Sequence, residues 1–399
     1  MNRHGWEVAD VLKLTANQLF KTHDLPYVVQ KTAKDIIQCR TSVLGGHKSK
    51  CSHCDHISIS YNSCRNRHCP KCQFSKREQW ILDRKADILP VKYFHVVFTL
   101  PHALNPVAKQ YPREVYSILF KAAWRTIKTL GDDPKWLGAK TGMIALLHTW
   151  GQNLSFHPHL HCIIPHGGWL PELNKWIYTN HRKFLFPVKV MSTLFRRYLI
   201  DLLNKLYTQR LIDWQDKDWG QLISLLQSSS FNVFAQKPFA GPQPVIDYLG
   251  RYSHRVAISN HRITMVTKKS VTFQYKDYRD GKDKHLVLTP LEFSRRFLQH
   301  VLPKGFAKIR HYGILANKAK NMFIPDILFY FERRCAAKSK FDPVKYFQEK
   351  YAVNILLCPY CKTGKLQRTS QIPPARGDPS LYLSSKFSAP HQSFKSLLN

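Results

Sequence analysis

Two Cys-x-x-Cys pairs are the residues of this sequence whose type and spacing point most directly to chemistry. The second pair begins 15 residues after the first pair ends, and pairs at such a spacing can place four thiolates tetrahedrally around Zn²⁺. Four protein ligands leave no position open for water, so the expected role of the ion is structural. Cys64 and His68 lie beside the second pair and are spare donors that could replace one member. The predicted zinc ligands are Cys51, Cys54, Cys69 and Cys72.

Basic residues lie in the same short segment as the second cysteine pair. Arg65, Arg67 and Lys71 alternate there with the predicted zinc ligands and spare donors. A knuckle held rigid by zinc would present these cations to phosphate groups, which guanidinium and ammonium groups bind through charge-assisted hydrogen bonds. We therefore expect these three side chains to contact nucleic acid.

A third Cys-x-x-Cys pair, Cys358 and Cys361, lies near the C-terminus without a second pair beside it. Two interpretations stay open. The pair is half of a zinc site that a distant histidine or Cys335 completes, or it is the degraded end of a reading frame.

Histidines two residues apart form a second chemical pattern. In the segment Phe156-His-Pro-His-Leu-His-Cys162, a strand would direct His159 and His161 to the same face and Leu160 to the opposite face. Both imidazoles could then bind one divalent ion with positions open for a phosphate oxygen, where the metal acts as a Lewis acid. The alternative is a pair of hydrogen-bonded structural histidines. His157 is a further donor only if Pro158 does not interrupt the strand.

Two tyrosines one helical turn apart form a third pattern. Tyr248 and Tyr252 would share one face of a helix, a spacing that more often marks half-buried core residues. Arg251 and Arg255 place two guanidinium groups beside the phenols. A phenol of pKa about 10 is only about 0.1% ionised at neutral pH, a handicap of about 4 kcal/mol. Cations and a metal-polarised phosphate are what a tyrosine nucleophile needs to offset it.

The apolar pattern indicates which elements position these residues. Residues 93–100 form an almost continuous apolar run rich in β-branched and aromatic side chains, which is typical of a buried central strand. Further strands are predicted at residues 143–149 and 159–164. The tyrosines lie on a helix that begins at Pro242 or Pro244, because proline is tolerated in a first turn. This order of elements predicts an α+β fold with a central, mostly antiparallel sheet flanked by helices.

Charge and composition restrict the class of partner. The sequence has 61 Lys and Arg residues against 26 Asp and Glu residues, a formal net charge of +35. Such an excess excludes an ordinary metabolic enzyme and predicts a polyanionic partner, above all nucleic acid. No apolar stretch reaches the length of about 18 residues that a membrane span requires, and the N-terminal residues lack a signal-peptide pattern. Clustered cysteines are typical of metal thiolates in a reducing compartment. We expect a cytoplasmic protein without a membrane partner.

Six ordered segments of the chain resemble the two-tyrosine HUH transposases of the insertion-sequence-ninety-one family. The resemblance runs from about Cys39 to Asn317. The segments are Arg40-Thr-Ser-Val-Leu-Gly-Gly-His47, Asn62-Ser-Cys-Arg-Asn-Arg-His-Cys-Pro-Lys-Cys72, Tyr93-Phe-His-Val-Val-Phe-Thr-Leu-Pro101, His148-Thr-Trp-Gly-Gln-Asn-Leu-Ser-Phe-His-Pro-His-Leu-His161, Tyr248-Leu-Gly-Arg-Tyr252 and His254-Arg-Val-Ala-Ile-Ser-Asn260.

The resemblance implies an N-terminal zinc-binding module followed by an HUH endonuclease core, in which U is a hydrophobic residue. His159-Leu160-His161 matches the HUH motif, and Tyr248 and Tyr252 match the tyrosine pair. In this family a tyrosine attacks a phosphodiester of single-stranded DNA at the end of the element, which leaves a 5′-phosphotyrosine and a free 3′-hydroxyl. The second tyrosine can serve the later strand transfer.

HUH sites usually take a third metal ligand from elsewhere in the core. Here that ligand stays open between Gln152, His157 and other positions. The implied cofactors are structural zinc and a catalytic magnesium or manganese ion. The implied partners are single-stranded DNA at the transposon ends, the target DNA and the host replication or helicase machinery, because the sequence has no phosphate-binding loop of a helicase. The expected location is the bacterial cytoplasm, at the nucleoid.

Four segments are expected along the chain. Residues 1–40 are an N-terminal helical segment, and residues 41–90 are the zinc-binding domain with a connecting helix. Residues 91–330 are the HUH and tyrosine catalytic domain. Residues 331–399 are a basic region with the third cysteine pair, in which about the last forty residues are expected to be poorly ordered.

The predicted function is that of a DNA transposase that nicks and transfers single strands. The nearest alternative is a rolling-circle replication initiator or relaxase with the same chemistry. A second alternative is an inactive transposase relic that binds DNA through a zinc ribbon. The remaining alternatives are an RNA-binding protein and a metal-dependent hydrolase in which free water attacks the phosphodiester.

Overall fold

The structure is a computed structural model that describes residues 5–179, 184–214, 218–236, 238–239, 241–252, 254–277, 279–334, 337 and 339–375. Within these ranges the side chains of residues 242, 249, 251 and 252 are not described. None of the described helices is long and apolar enough to cross a membrane.

Several helices begin with a first-turn proline or a side-chain cap. Pro112 is the first residue of a 21-residue helix, and Thr289 caps another helix by accepting a hydrogen bond from the Glu292 amide at 3.2 Å. The described residues form α1 (Val8–Thr22), α2 (Tyr27–Gln38), α3 (Phe74–Asp87), α4 (Asn105–Gln110), α5 (Pro112–Asp132), α6 (Val188–Thr208), α7 (Trp219–Ser228), α8 (Pro242–Tyr252), α9 (Pro290–Leu298), α10 (Lys320–Tyr330) and α11 (Pro343–Tyr351).

Strands form four antiparallel sheets in the described part of the chain. The strands are β1 (Gly46–Cys51), β2 (Ile57–Tyr61), β3 (Tyr93–Thr99), β4 (Gly142–Trp150), β5 (Phe156–Pro165), β6 (Gly168–Leu170), β7 (Lys175–Ile177), β8 (Val233–Ala235), β9 (Ile263–Val266), β10 (Val271–Lys276), β11 (Asp283–Leu288), β12 (Ile309–Gly313) and β13 (Leu366–Ile372).

The largest sheet has the strand order β12-β4-β5-β3-β8. Its three central strands are those predicted from the apolar runs, and every neighbouring pair is antiparallel. The predicted α+β class with a central antiparallel sheet flanked by helices is therefore confirmed, as is the cysteine-rich module that precedes the sheet.

The two faces of this sheet bury different sets of side chains. On one face, Phe98 and Leu160 lie in an apolar core beneath α5 and α6. On the other face, Tyr93 and Ile163 pack with residues of α8 such as Val245. Because side chains of a strand alternate between faces, the histidines that flank Leu160 on β5 lie on the α8 side.

The N-terminal helices pack against a distant part of the chain. α1 lies on α9 and touches β9, and the buried Thr15 hydroxyl lies 2.8 Å from the Ser294 hydroxyl. The apolar faces of α1, α2, β10 and α9 share one core. These contacts join residues near the N-terminus to the segment that follows the tyrosine helix.

The three-stranded sheet near the cysteines has the order β13-β1-β2. β13 lies within the last forty residues, where the sequence predicts poor order, so that prediction is wrong for residues 366–372. The reason is a long-range pairing: β13 is antiparallel to β1, with Gly46 opposite Ile372 and Cys51 opposite Leu366. Residues 376–399 lie outside the described residues.

The assignment of Leu160 to the core predicts a large loss of stability on truncation. Leu160 is 0% exposed, so Leu160→Ala should lower the free energy of unfolding by about 2–5 kcal/mol. Leu173→Ala is the matched control, because Leu173 is 68% exposed and its loss should change the free energy by less than about 0.5 kcal/mol. Urea denaturation followed by fluorescence measures both. Equal effects of the two substitutions would contradict the packing described.

Candidate active site and metal centres

Three histidines of the central sheet form one candidate metal site. His159 and His161 project from β5, and β4 places His148 directly opposite His159. One ring nitrogen from each of the three lies within 4.8 Å of the others. The predicted pair is therefore brought together, and His148, rather than Gln152 or the His157 side chain, is the candidate third donor of this group.

The hydrogen bonds of these histidines leave nitrogen lone pairs facing each other. His159 Nδ1 lies 2.7 Å from the His157 carbonyl oxygen, which can only accept, so Nδ1 carries the proton and Nε2 does not. His159 Nε2 lies 3.1 Å from His161 Nε2, close to the separation of about 3.0 Å between adjacent ligands at 2.1 Å in an octahedron. Burial lowers the pKa of His159 to about 4 and holds the pKa of His161 well below its usual range. Neutral imidazoles arranged in this way fit a divalent cation.

The Tyr248 hydroxyl lies against the same histidines. α8 positions this hydroxyl 2.8 Å from His161 Nδ1 and 2.9 Å from Nε2 of His95, a residue of β3. His95 Nε2 also lies 2.9 Å from His161 Nδ1, and His95 Nδ1 lies 2.9 Å from the Gln236 side-chain oxygen. The four side chains form one connected polar network between the sheet and the helix.

The surroundings of Tyr248 combine a core-like ring with a polar hydroxyl. The side chain is 7% exposed, and its ring lies 4.7 Å from the His95 ring and 5.4 Å from the Phe239 ring, measured between centroids. The ring is thus buried more completely than the half-buried core tyrosine of the sequence alternative, whereas the hydroxyl belongs to the histidine network. Tyr252 and Arg251 lie on the described backbone of α8, but their side chains lie outside the described set.

Cations gather beside this network. The Lys308 ammonium donates a hydrogen bond to the Arg255 carbonyl oxygen at 2.7 Å and lies 5.1 Å from the Trp150 ring centroid. Burial, together with the charges of Arg67 and Arg255, lowers the pKa of Lys308 to about 7. The Arg255 guanidinium lies 3.5 Å from the side-chain oxygen of Gln152. Burial and the charge of Arg255 lower the pKa of a further neighbour, Arg262, to about 10.

A cleft lies between these cations and the segment that contains Cys69. It has a volume of about 530 Å³ and is lined on one side by Lys71 and Arg77 and on the other by His254, Arg255 and Arg262. We call it the basic cleft. It lies where the end of α8 meets the segment that resembles the zinc-binding module.

The three cations predicted between the zinc ligands differ in their surroundings. Arg65 is exposed. Arg67 donates hydrogen bonds to the carbonyl oxygens of Phe306 and Pro303, and Lys71 forms an ion pair with Glu7 at 2.7 Å. Arg67 and Lys71 therefore fasten this segment to the rest of the protein. Within the described part of the chain the exposed Arg65 side chain makes no such contact.

The four predicted zinc ligands do not meet in one site. Cys69 and Cys72 lie with Cys39 and Cys64, whereas Cys51 and Cys54 lie with Cys358 and Cys361. This corrects the predicted grouping. Its physical cause is that β1 ends at Cys51 and pairs with β13, which brings the C-terminal pair to the first N-terminal pair.

The first cysteine group combines the predicted spare donor Cys64 with a residue that sequence reasoning missed. Cys39 directly follows the last residue of α2. Its sulfur lies 3.1 Å from the Cys72 sulfur, and the Cys72 sulfur lies 3.6 Å from the Cys64 sulfur. Hydrogen bonding with Cys64 lowers the pKa of Cys39 to about 7. His68 is not a member of the group, because its Nε2 accepts a hydrogen bond from the Leu302 amide at 3.3 Å.

Two families of known proteins match segments of this chain. Residues 11–100 match the family described as "Transposase zinc-binding domain", and residues 142–322 match the family described as "Putative transposase". The first match contains the group of Cys39, Cys64, Cys69 and Cys72, so structural zinc is supported by both the family and the clustered thiols.

Two curated proteins are similar to the chain over most of its length. The "Putative transposase y4qJ" of Sinorhizobium fredii (strain NBRC 101917 / NGR234) is 40% identical over 380 residues, which span 92% of this chain and 95% of that protein. The "Transposase for insertion sequence element IS801" of Pseudomonas savastanoi pv. phaseolicola is 28% identical over 330 residues, 78% of this chain and 77% of that protein. No solved structure matches the chain. Identity and coverage at this level, with both family matches, make the chain a member of the insertion-sequence-ninety-one family of transposases.

Proposed function

We propose that this transposase nicks and transfers single-stranded DNA by attack of Tyr248 on a phosphodiester. A transposase binds DNA at the ends of its element, and the proposal concerns how this one cuts it. The supporting observation is the position of the Tyr248 hydroxyl, 2.8 Å from His161 Nδ1 and 2.9 Å from His95 Nε2. A nucleophile beside a candidate metal site is the arrangement that covalent phosphoryl transfer requires.

The proposed reaction exchanges one phosphodiester for another. The Tyr248 oxygen forms a bond to phosphorus, and the bond from phosphorus to the 3′-oxygen of the preceding nucleotide breaks. The products are a 5′-phosphotyrosine and a free 3′-hydroxyl. Because the bond energy is kept in the phosphotyrosine, a DNA 3′-hydroxyl can later reverse the step on another strand without nucleotide hydrolysis.

His95 is placed to take the tyrosine proton. An amide oxygen can only accept, so the contact with Gln236 Oε1 assigns the His95 proton to Nδ1 and leaves Nε2 as an acceptor. Nε2 lies 2.9 Å from the Tyr248 oxygen, within reach for proton transfer. His95 therefore acts as the proposed general base, and Gln236 orients it.

In the proposal, His161 donates a hydrogen bond to the same hydroxyl oxygen. If its Nε2 binds the ion, as the facing nitrogens of His159 and His161 suggest, its Nδ1 must carry the proton. Nδ1–H then donates to the Tyr248 oxygen at 2.8 Å. This hydrogen bond strengthens as the phenol oxygen becomes negative.

The proposed divalent ion is magnesium or manganese, held by His148, His159 and His161. When bound, it supplies a Lewis acid for a non-bridging phosphate oxygen. Three imidazoles suit a transition-metal ion better than the hard Mg²⁺, which prefers oxygen ligands. The donor set therefore favours manganese of the two.

The basic cleft is the proposed path of the single strand. Its cations come both from the cysteine-bearing segment and from the residues that follow α8. Arg255 lies within electrostatic reach of His161, whose pKa is lowered by burial first, by the neighbouring His159 and His95 next, and then by Arg255 and Lys308. Single-stranded DNA is bound chiefly through such backbone-tracking cations. Separation of the duplex is left to replication, supercoiling or a host helicase.

Tyr252 is the proposed second nucleophile. It ends α8 one turn after Tyr248, so a rotation of the helix or a shift of the DNA by a few ångströms would exchange the two phenols at the phosphate. Tyr248 is proposed to act first, because its hydroxyl already contacts the histidines.

Covalent trapping tests the nucleophile. Single-stranded oligonucleotides tiled across the DNA that flanks the gene would be incubated with protein and Mn²⁺, then separated under denaturing conditions. Tyr248→Phe should abolish the first protein–DNA adduct, because it removes the attacking oxygen and keeps the buried ring. Tyr252→Phe is the matched control and should keep the first adduct while blocking strand transfer.

Other outcomes of the trapping would overturn the proposal. An adduct that survives Tyr248→Phe but not Tyr252→Phe would assign the first attack to the second tyrosine. Cleavage without any adduct would indicate attack by water. Tight DNA binding with neither cleavage nor adduct would mean that both tyrosines are structural and would favour an inactive transposase relic that only binds DNA.

The identity of the third metal ligand is tested by replacing each of two histidines with alanine. His148→Ala should lower Mn²⁺-dependent cleavage by at least about 100-fold, since loss of a ligand should cost no less than loss of the groups behind it. His157→Ala removes the side chain that lies outside the group and should change cleavage less than about threefold. DNA binding without metal should be the same for both. A larger effect of His157→Ala would reverse the assignment.

The role of His95 is tested by the rate of the covalent step. His95→Ala should slow single-turnover adduct formation by about 10²–10⁴-fold, the usual contribution of a general base. DNA affinity and Mn²⁺ affinity should be unchanged, because His95 is not among the clustered metal donors. A rate within twofold of the wild type would exclude His95 as the base.

A further inference from the structure

We propose that Cys51, Cys54, Cys358 and Cys361 bind a second structural zinc ion, which fastens the C-terminal segment of the chain to the N-terminal ribbon of β1 and β2. This site is separate from the first cysteine group and lies partly outside residues 11–100, which match the zinc-binding family. It is independent of the proposed tyrosine chemistry.

The sulfur separations fit one tetrahedral zinc ion. Cys51 Sγ lies 3.6 Å from Cys361 Sγ, and Cys54 Sγ lies 3.7 Å from Cys358 Sγ. Four sulfurs at 2.3 Å from a central ion would be about 3.8 Å apart. A disulfide would require about 2.05 Å, so these pairs are free thiols gathered around a common centre.

In each of the two knuckles a backbone amide donates to one cysteine sulfur. The amide of His53 donates to Cys51 Sγ, and the amide of Gly364 donates to Cys361 Sγ, each over 3.4 Å. Such hydrogen bonds stabilise the negative charge of a thiolate, the form that binds metal. Each knuckle thus prepares its sulfur in the way expected of a ligand.

Close packing brings the knuckles face to face. A Cβ atom added to Gly364 would lie 2.4 Å from Cys51 Sγ and 2.7 Å from the His53 Cβ, so only glycine allows this approach. Cys51 and Cys358 are 2% and 1% exposed. These contacts define a compact, largely closed site of thiols, as structural zinc requires.

The ion is needed because β13 has little else to hold it. Its side chains from Gln367 to Gln371 are all exposed, so the strand buries almost no apolar surface. Its backbone pairs with β1 as the outer strand of the β13-β1-β2 sheet. The other outer strand, β2, is also mostly exposed, and a small sheet without an apolar face to bury is marginal in water. A zinc ion shared by the two segments supplies the missing stability and leaves β1 covered on both edges.

The site makes the two ends of the sequence one structural unit. Cys54 and Cys358 are separated by 304 positions, and the whole catalytic core lies between them. Loss of the C-terminal residues would therefore damage the N-terminal ribbon, whereas the first cysteine group, which lies within residues 39–72, would stay complete.

Zinc content per chain tests the proposal on the full-length protein. Wild-type protein purified without chelator should contain two zinc ions by plasma mass spectrometry. The double variant Cys358→Ser, Cys361→Ser should contain one, and so should Cys39→Ser, Cys64→Ser, in which the other site is broken. Cys162→Ala is the matched control, since that buried cysteine belongs to neither group and its loss should leave two. One zinc ion in the wild type, unchanged by loss of Cys358 and Cys361, would overturn the proposal.

A second measurement needs no variant. Native wild-type protein should protect Cys358 and Cys361 from a thiol-alkylating reagent, and both should become reactive after zinc is removed with a chelator. Peptide mass spectrometry reads each cysteine separately. Alkylation of both at the full rate of a free thiol in the zinc-loaded protein would also overturn the proposal.

Discussion

The antiparallel register of β3, β5 and β4 is the constraint on which the rest of the site depends. It places His148 opposite His159 and Phe98 opposite Leu160. A slip of one residue would turn every side chain to the other face of its strand. The histidines would then enter the apolar core beneath α5 and α6, and Leu160 would enter the site. Burial of the apolar face therefore fixes the positions of the imidazoles.

The local sequence predicts the parts of the site that follow from local geometry. The two-residue period of a strand is enough to pair His159 with His161, and the helical period is enough to place two tyrosines on one face. His95 and His148 were missed because their relation to these residues depends on which strands pair. The available signal was weak but present, since each is a lone histidine inside a strongly apolar strand.

The cysteines also show that local spacing in the sequence does not identify partners that only the fold brings together. Nearest spacing along the chain pairs Cys51 and Cys54 with the next Cys-x-x-Cys pair. The fold instead pairs them with a strand that lies more than 300 positions away, which no local period can indicate. Cys39 was missed for a similar reason, because it ends a helix whose packing alone brings it to the knuckle. The residue types indicated zinc correctly, and the topology determined the partners.

Lys308, whose ammonium donates to the carbonyl oxygen of the cleft residue Arg255, is held in the folded protein at a cost in stability. In the folded state the pKa of Lys308 is about 7, against an ordinary value of 10.5, so the unfolded chain binds more protons between these values. Stability from this group therefore rises with pH through that window, and the full penalty is present below pH 7. A phosphate beside Lys308 and Arg255 would remove part of the penalty by favouring the charged form. If the strand follows the basic cleft as proposed, DNA binding and the stability of this region are coupled through the same charges.

Free energies also decide the protonation state of Tyr248 before the reaction. Moving the proton of a phenol of pKa about 10 to an ordinary imidazole of pKa about 6.5 costs about 5 kcal/mol. Burial lowers the pKa of His95, which raises that cost further. One hydrogen bond to a charged oxygen returns about 1.5–3 kcal/mol, so the contact with His161 cannot ionise Tyr248 by itself. In the proposed mechanism the resting site therefore holds a neutral tyrosine. The proton would move to His95 only as the oxygen–phosphorus bond forms, when the developing charge would pass to a phosphate beside the nearby cations and the ion that His148, His159 and His161 would hold.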